Sequence, residues 1–144
     1  MARNFEYAYS LAGGNFSPVI RKLPVAATQT IVVGDALIMS SGQLAKGGAA
    51  IGEVVGIAAE ASASQAAGTL IEVEIVMPWQ VWRAVATADA TSVVLNGTET
   101  FDLTAAQLVD VADTTGGSLQ IIGMDPASVT EIYVQFMSCF FCGV

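Results

Sequence analysis

The sequence contains no histidine, only two cysteines and only five basic residues among its 144 positions. Histidine is the commonest general base and metal ligand near neutral pH, so its absence excludes Ser-His-Asp and Cys-His catalytic arrangements. No glycine-rich phosphate loop, cofactor fingerprint or set of acidic residues at metal-ligand spacing is present either. We therefore expect a protein that is not an enzyme, with no catalytic residues, no cofactor and no metal.

Charge and hydrophobic runs exclude two further classes of partner. Thirteen acidic residues against five basic ones give a net charge of −8. Binding to a phosphate backbone depends on Lys and Arg displacing counterions, so we expect no nucleic-acid partner. No run of about 18 apolar residues and no secretory leader pattern is present. We expect a soluble protein without a signal peptide and without membrane contact.

What the sequence has in quantity is apolar surface. Apolar residues make up 53% of the chain and charged residues 12%, which is too apolar for a disordered protein. A chain of this length suits one domain, or a domain with a small appendage. Part of the apolar surface is expected to be covered by other chains.

The chain is organised around Thr30–Met39, in which two apolar runs flank Gly34 and Asp35. Glycine accepts positive φ, and a short Asp side chain accepts hydrogen bonds from nearby backbone N–H groups. The pattern predicts a strand, a corner and a second strand. Similar apolar strands are predicted at Gly52–Ala59 and Thr69–Met77, so the fold class is all-β. Asp35 is interpreted as the residue that forms the corner, not as a catalyst or ligand.

Two details of these strands carry predictions of their own. Gly56 lies inside a strand, which indicates a bulge or a close backbone approach. Residues 70–77 alternate, which places Ile71, Val73 and Ile75 on a core face and Glu72 and Glu74 on the other face. Paired carboxylates can perform acid–base chemistry, but polar-out alternation already explains them, so a solvated face is favoured.

The first sixteen residues contain Phe5, Tyr7 and Tyr9 at a spacing of two, followed by a glycine-rich break. This alternation predicts a β-strand or an extended arm with one aromatic face. Two interpretations stay open: an ordinary first strand of the core, or an arm that adds to the edge of a partner's sheet.

Two other segments supply candidate interface residues. Arg21 and Lys22 are the only adjacent basic pair, and a solvated sheet edge is favoured for them over an ion pair with a neighbouring chain. Trp79 and Trp82 belong to a segment that ends one strand and begins the next. Core packing and a subunit interface are both open for the two tryptophans, because Trp is prominent in each.

The second half of the chain continues with strands and glycine turns. The division is an N-terminal arm or first strand at 1–16, a β-barrel core at 17–84, and a second β subdomain or continuation of the barrel at 85–144. Thr104–Gln107 has capping-box spacing, so a short helix could begin there, although 101–111 could instead be extended. At most one or two short helices are expected.

Cys139 and Cys142 form a C-x-x-C pattern. The surrounding sequence is strand-like and aromatic, and side chains three apart on a strand face opposite sides. No second cysteine pair is available to complete a zinc site. We interpret both cysteines as small apolar residues in a reducing compartment and not as a redox pair or metal ligands.

Most of the chain is marked by turn-and-strand signals: Leu23-Pro24-Val25, Thr30–Asp35, Ser41-Gly42, Gly56-Ile57-Ala58, Gly68-Thr69 with the alternating strand that follows, and Leu119–Pro126. In these signals the chain resembles the head decoration, or cement, proteins of tailed bacteriophages. The resemblance implies a small β-barrel or β-tulip-like domain with an extended N-terminal arm. It implies no catalytic residues.

The same resemblance implies a location and partners. Such a protein binds the outer surface of a phage head built of HK97-type coat protein, the major capsid protein, after synthesis in the host cytoplasm. It bridges neighbouring capsomers and stabilises the shell against the pressure of packaged DNA. A homotrimer is favoured over a dimer.

One function from another class stays open. A phage tail, fibre or other surface β module could bind a glycan or host receptor, with Trp79 or Trp82 as the stacking platform.

Overall fold

The computed structural model describes residues 5–14, 17–47, 54–89, 100–103, 108–125 and 128–141. Within these ranges the protein is all-β and contains no helix. The strands are β1 (Glu6–Ser10), β2 (Ile20–Pro24), β3 (Thr30–Ile31), β4 (Ala36–Ser40), β5 (Gln43–Lys46), β6 (Val54–Ala58), β7 (Ser62–Ala63), β8 (Leu70–Ile75), β9 (Gln80–Ala86), β10 (Asp102–Leu103), β11 (Leu108–Asp110), β12 (Leu119–Asp125) and β13 (Ser128–Phe136).

The strands form two main sheets and one short ribbon. The small sheet has the order β2-β8-β6-β4-β5, and the large sheet has the order β10-β11-β9-β13-β12, with β1 also paired to β9. Strands β3 and β7 form the ribbon. The pairing of β11 with β9 is parallel. The other named strand pairs are antiparallel.

Neither sheet is a closed barrel in the part of the chain that the structure describes. The two edges of the small sheet meet only at a bridge between Val25 and Leu44, where the Ala26 N–H donates to the Leu44 carbonyl at 2.9 Å. The edges of the large sheet meet at a bridge between Phe101 and Leu119. The all-β prediction is therefore confirmed. Each sheet curls until its edges touch at a bridge, but the edges do not form a continuous ladder.

Strand β6 joins the two cores. All five of its residues are buried. Val54 and Ile57 belong to the core that lies on the large sheet, whereas Val55 and Ala58 belong to the core enclosed by the small sheet. A strand that is buried on both faces has a continuous apolar sequence, and β6 has such a sequence.

The predicted corner at Gly34 and Asp35 is confirmed. Gly34 has φ +96°, and the buried carboxylate of Asp35 accepts a hydrogen bond from the Val32 N–H at 3.0 Å. Lys46 Nζ lies 3.5 Å from the same oxygen, Oδ2. The carboxylate thus closes the loop between β3 and β4 and is held by a cation from β5.

The predictions for Gly56 and for the alternating strand are also confirmed. A Cβ on Gly56 would collide with the Glu74 carbonyl oxygen and with the Val73 side chain, and the register of β4 against β6 shifts at this point. In β8 the residues Ile71, Val73 and Ile75 are buried, whereas the two glutamates between them are partly exposed.

The N-terminal strand lies in its own chain's sheet. Strand β1 pairs antiparallel with β9, and Phe5 is fully buried. Addition of this strand to a partner's sheet stays a prediction. So does the division of the chain at residues 84 and 85, which fall within β9. The capping-box segment 104–107 lies outside the described residues, while 102–103 and 108–110 are extended.

The interpretation of Cys139 as a free apolar side chain is wrong, because this cysteine is disulfide-bonded. The chain has one other cysteine, Cys142, which lies outside the described residues. Strand β13 ends at Phe136, and Cys139 instead forms an isolated bridge with Val54. Cys139 therefore does not lie on a strand. The alternation rule that placed the side chains of Cys139 and Cys142 on opposite sides does not apply here.

Gly56→Ala tests the close approach of β6 to β8. The added methyl group meets backbone in a packed interior, so we expect a loss of more than about 2 kcal/mol of unfolding free energy in urea titrations. Gly123→Ala is the matched control, since a Cβ there meets only the Tyr133 side chain at an ordinary 3.5 Å. Equal effects of the two substitutions would contradict the proposed packing.

Candidate binding surface

The seven candidate interface residues separate into buried and accessible sets. Phe5 and Trp82 have no exposed surface. Trp82 packs edge-on against Tyr7, with ring centroids 5.7 Å apart, and Phe5 packs against Phe136 at the same distance. Neither side chain is available to a partner on the surface of this chain. Trp82 lies in the core.

The accessible set lies in three places. Tyr7 and Trp79 line one pocket, and Trp79 is 43% exposed. Arg21 and Lys22 are exposed on β2, an edge strand of the small sheet. Tyr9 lies on the outer face of the large sheet, with its ring centroid 6.4 Å from that of Tyr133.

Two neighbouring pockets, each of about 360 Å³, form one largely apolar surface. The first is lined chiefly by Tyr7, Ser17, Val19, Met77, Trp79 and Gln80. The second is lined by Val19, Arg21, Ile75, Met77 and Phe141. Val19 and Met77 line both pockets, so the two lie side by side. We call this surface the apolar groove, defined by Tyr7, Val19, Met77, Trp79 and Phe141 with Arg21 at one end.

Backbone hydrogen bonds fix the turn that presents Trp79. The Gln80 N–H donates to the Met77 carbonyl at 3.1 Å, and the Met77 N–H donates to Gln80 Oε1 at 2.8 Å. The Trp79 carbonyl accepts from the Leu11 N–H at 2.7 Å, which ties the turn to the end of β1. Because the turn is held from several sides, the indole is presented by a rigid support.

The groove offers contact surface and little polar chemistry. Arg21 is the one charged residue among its described lining residues, and the amide oxygen of Gln80 is already engaged within the turn. Phe140 and Phe141 form a T-shaped pair at 4.9 Å beside the second pocket. Such a surface can bind an apolar partner group, with one cation to orient it.

Sequence reasoning missed Val19, Met77 and Phe141. The three residues come from distant segments, and nothing local distinguishes them from core residues. The exposed Phe140-Phe141 pair near the end of the chain was the one available signal, because adjacent aromatic residues cannot both face a core from a single strand.

On the outer face of the large sheet, charged residues pair within the chain. Glu6, Arg83 and Tyr133 lie in register across β1, β9 and β13. Arg83 Nη2 donates to Glu6 Oε2 at 2.6 Å, and this hydrogen bond is the largest cause that raises the pKa of Arg83, while partial burial opposes it. Arg83 Nη1 also lies 3.9 Å from Glu131 Oε2, so Arg83 pairs with two carboxylates of its own chain.

Three aspartates lie near the β10–β11 hairpin. Asp102 lies directly opposite Asp110 in the sheet, and its Oδ1 atom is buried without a hydrogen-bond partner. Burial raises the pKa of Asp102, and the charges of Asp113 and Asp110 raise it further. No group of three or more acidic or cysteine side chains within the described ranges is arranged to hold a metal ion. The like charges of these aspartates destabilise one another.

Comparison of the chain with protein-family models, with curated proteins and with solved structures gives no match. The resemblance to phage decoration proteins therefore stays a prediction. Across the described segments, the structure contains no helix long and apolar enough to cross a membrane.

The two tryptophans are expected to differ in accessibility and in their contribution to stability. Trp82→Ala should cost about 3–5 kcal/mol of unfolding free energy, because it empties a core site. Trp79→Ala should change it by less than about 0.5 kcal/mol, as exposed positions do. Acrylamide should quench the fluorescence of Trp82→Phe, which retains Trp79, far more than that of Trp79→Phe. Equal quenching would contradict the assignment.

Asp102→Asn should stabilise the protein at pH 7. The pKa of Asp102 is higher in the folded state than its unfolded value of 3.8. The contribution of this carboxyl group to stability is therefore complete below pH 3.8 and is lost as the pH rises through its folded-state pKa. Asparagine does not titrate and removes the like charge opposite Asp110, so we expect a gain of about 0.2–1 kcal/mol at pH 7 that disappears in acid. Urea midpoints at the two pH values measure it. Asp89→Asn at an exposed position is the control, and an equal gain there would refute the explanation.

Proposed function

We propose that this protein is a capsid decoration (cement) protein. It binds the outer surface of a phage head, bridges neighbouring coat-protein capsomers and stabilises the shell against the pressure of the packaged DNA. The observation that carries the proposal is the apolar groove, an exposed apolar surface on a compact all-β protein, taken together with the family resemblance of the sequence.

The groove supports attachment to a protein. Val19, Trp79 and Phe141 are 56%, 43% and 42% exposed. Contiguous apolar surface on a soluble chain marks an interaction site more often than chance exposure. Exposed tryptophan in a well-supported position is also the residue type that contributes most to protein interfaces.

The framework behind the groove supports a mechanical role. Both sheets curl until their edges touch, so we propose a small β-barrel or β-tulip-like domain of the decoration-protein type. A chain whose strands are paired across long sequence distances transmits force through many hydrogen bonds at once. Many copies on a lattice then act together, so that modest contacts at each site resist expansion of the shell.

The charge of the chain fits the outside of a head. A net charge of −8 favours a surface away from the packaged DNA. In this proposal the partner is the major capsid protein, the location is the outer surface of the virion, and the copies assemble as a homotrimer in preference to a dimer. The N-terminal arm, the groove or both supply the contacts.

A tail, fibre or surface module that binds a glycan or host receptor is the second candidate. The exposed indole of Trp79 favours it, since sugar rings stack on such faces. Sugar recognition also needs convergent hydrogen-bonding groups, and the groove supplies few of them beside the indole. Decoration of a head is therefore the better supported function.

The direct test adds purified protein to undecorated mature and immature phage heads. We expect saturable co-sedimentation and a higher temperature of head disruption. Failure to bind either form of head would contradict the proposal. Binding to a glycan array without binding to heads would favour the second candidate.

Variants locate the contact. Trp79→Ala should weaken binding to heads by at least about tenfold, as truncation of an aromatic anchor does. Leu70→Ala is the matched control, because Leu70 is 55% exposed and lies at the end of β8 that is remote from Ile75 and the groove. Equal binding by the two variants would show that the groove does not supply the contact with heads.

A further inference from the structure

Strand β2 has one bonded edge and one open edge. The Val19 carbonyl accepts from the Ile75 N–H at 2.8 Å, and the Val25 N–H donates to the Thr69 carbonyl at 2.8 Å. Alternation along an antiparallel ladder then directs the N–H and C=O groups of Arg21 and Leu23 toward β8 as well.

The intervening residues of β2 face the other way. The backbone groups of Ile20 and Lys22 point away from β8, and among the described residues no strand pairs with them. Pro24 has no N–H to offer, and next to it the open edge ends at the bridge between Val25 and Leu44 of β5. The open edge thus presents two N–H donors and two carbonyl acceptors.

The open edge also carries the unpaired cations of the described chain. Lys46 lies against Asp35, and Arg83 is bonded to Glu6. Arg21 and Lys22 form no ion pair with any described residue. Among the described residues of this chain of net charge −8, the positive charge without an ion-pair partner therefore lies on one strand edge.

The two cations face different surroundings. Lys22 lies opposite Glu72 in the register, so its charge is partly offset by its own sheet. Arg21 lies opposite Val73 and lines the second pocket of the groove, beside Val19 and Phe141. Arg21 is the cation that an incoming group on the groove side would meet.

A second copy of β2 is a poor occupant of this edge. Antiparallel pairing of two β2 strands would bring the basic pairs of both copies together, and like charges opposite each other destabilise a sheet. Charge on an edge strand prevents such self-pairing. The same charge attracts a strand that carries carboxylates.

We propose that β2 is a receiving edge for an extended acidic segment of a partner protein. The segment adds to the small sheet through backbone bonds with Ile20 and Lys22, places an Asp or Glu opposite Arg21, and places an apolar residue two positions away over the second pocket. In an antiparallel ladder with the added segment, Arg21 and the residue opposite it form a non-hydrogen-bonded pair. Side chains that face each other lie closest in such pairs. The inference concerns this edge alone and does not depend on the proposed function.

A capped synthetic peptide tests the proposal. Its five-residue core is Leu-Thr-Glu-Thr-Leu, which presents the glutamate and a leucine to the groove side in either strand direction. In amide hydrogen exchange followed by NMR, we expect the peptide to slow exchange at Ile20 and Lys22, whose N–H groups are open, and to leave Arg21 nearly unchanged. No protection at Ile20 and Lys22 at saturating peptide would overturn the proposal.

Substitutions separate addition at the edge from general attraction. Ile20→Pro removes an outward N–H without removing a bond to β8, so it should keep the thermal stability and abolish binding. Arg21→Glu should weaken binding of this peptide by about tenfold and restore binding of a peptide with lysine in place of glutamate. A third peptide carries glutamine in place of glutamate. If Ile20→Pro binds normally, or if the glutamine peptide binds as well as the glutamate peptide, the proposal fails. The basic pair then serves only to keep the edge solvated.

Discussion

Strand β6 has no solvent face, and both sheets are arranged around that constraint. Val54 and Ile57 pack into the core of the large sheet, whereas Val55 and Ala58 pack into the core of the small sheet. Gly56 lies between them, where a side chain would collide with β8. At the start of β6 the bridge from Val54 to Cys139 brings the segment that follows β13 against the small sheet. The apolar groove exists because the segments that follow β8 and β13 are drawn to this junction.

Local signals were enough to predict much of the small sheet. The corner at Gly34 and Asp35 follows from positive φ and a short acceptor side chain, and the alternation of 70–75 follows from a strand with one buried face. These features depend on neighbours in sequence. The same holds for the turn at Ser41 and Gly42, both of which have positive φ.

The remainder depends on pairings between distant residues. Nothing local indicates that β1 lies against β9, and this pairing decides that Tyr7 packs on Trp82. Trp79 and Trp82 have similar sequence surroundings, yet one lies in a turn and the other in a central strand. The error at Cys139 has the same origin, since the chain leaves the strand at Phe136 to reach Val54. Of the candidate residues, Tyr7, Arg21 and Trp79 come together at the groove, a grouping that only the fold creates.

Attachment through the groove and the open edge of β2 is the central claim, and hydrogen exchange of the protein free and bound to undecorated heads tests it most directly. The account predicts slower exchange on binding at Ile20, Lys22 and Trp79, with β6 protected equally in both states. Protection confined to the opposite end of the small sheet, at the β4–β5 hairpin, or no change anywhere, would contradict it.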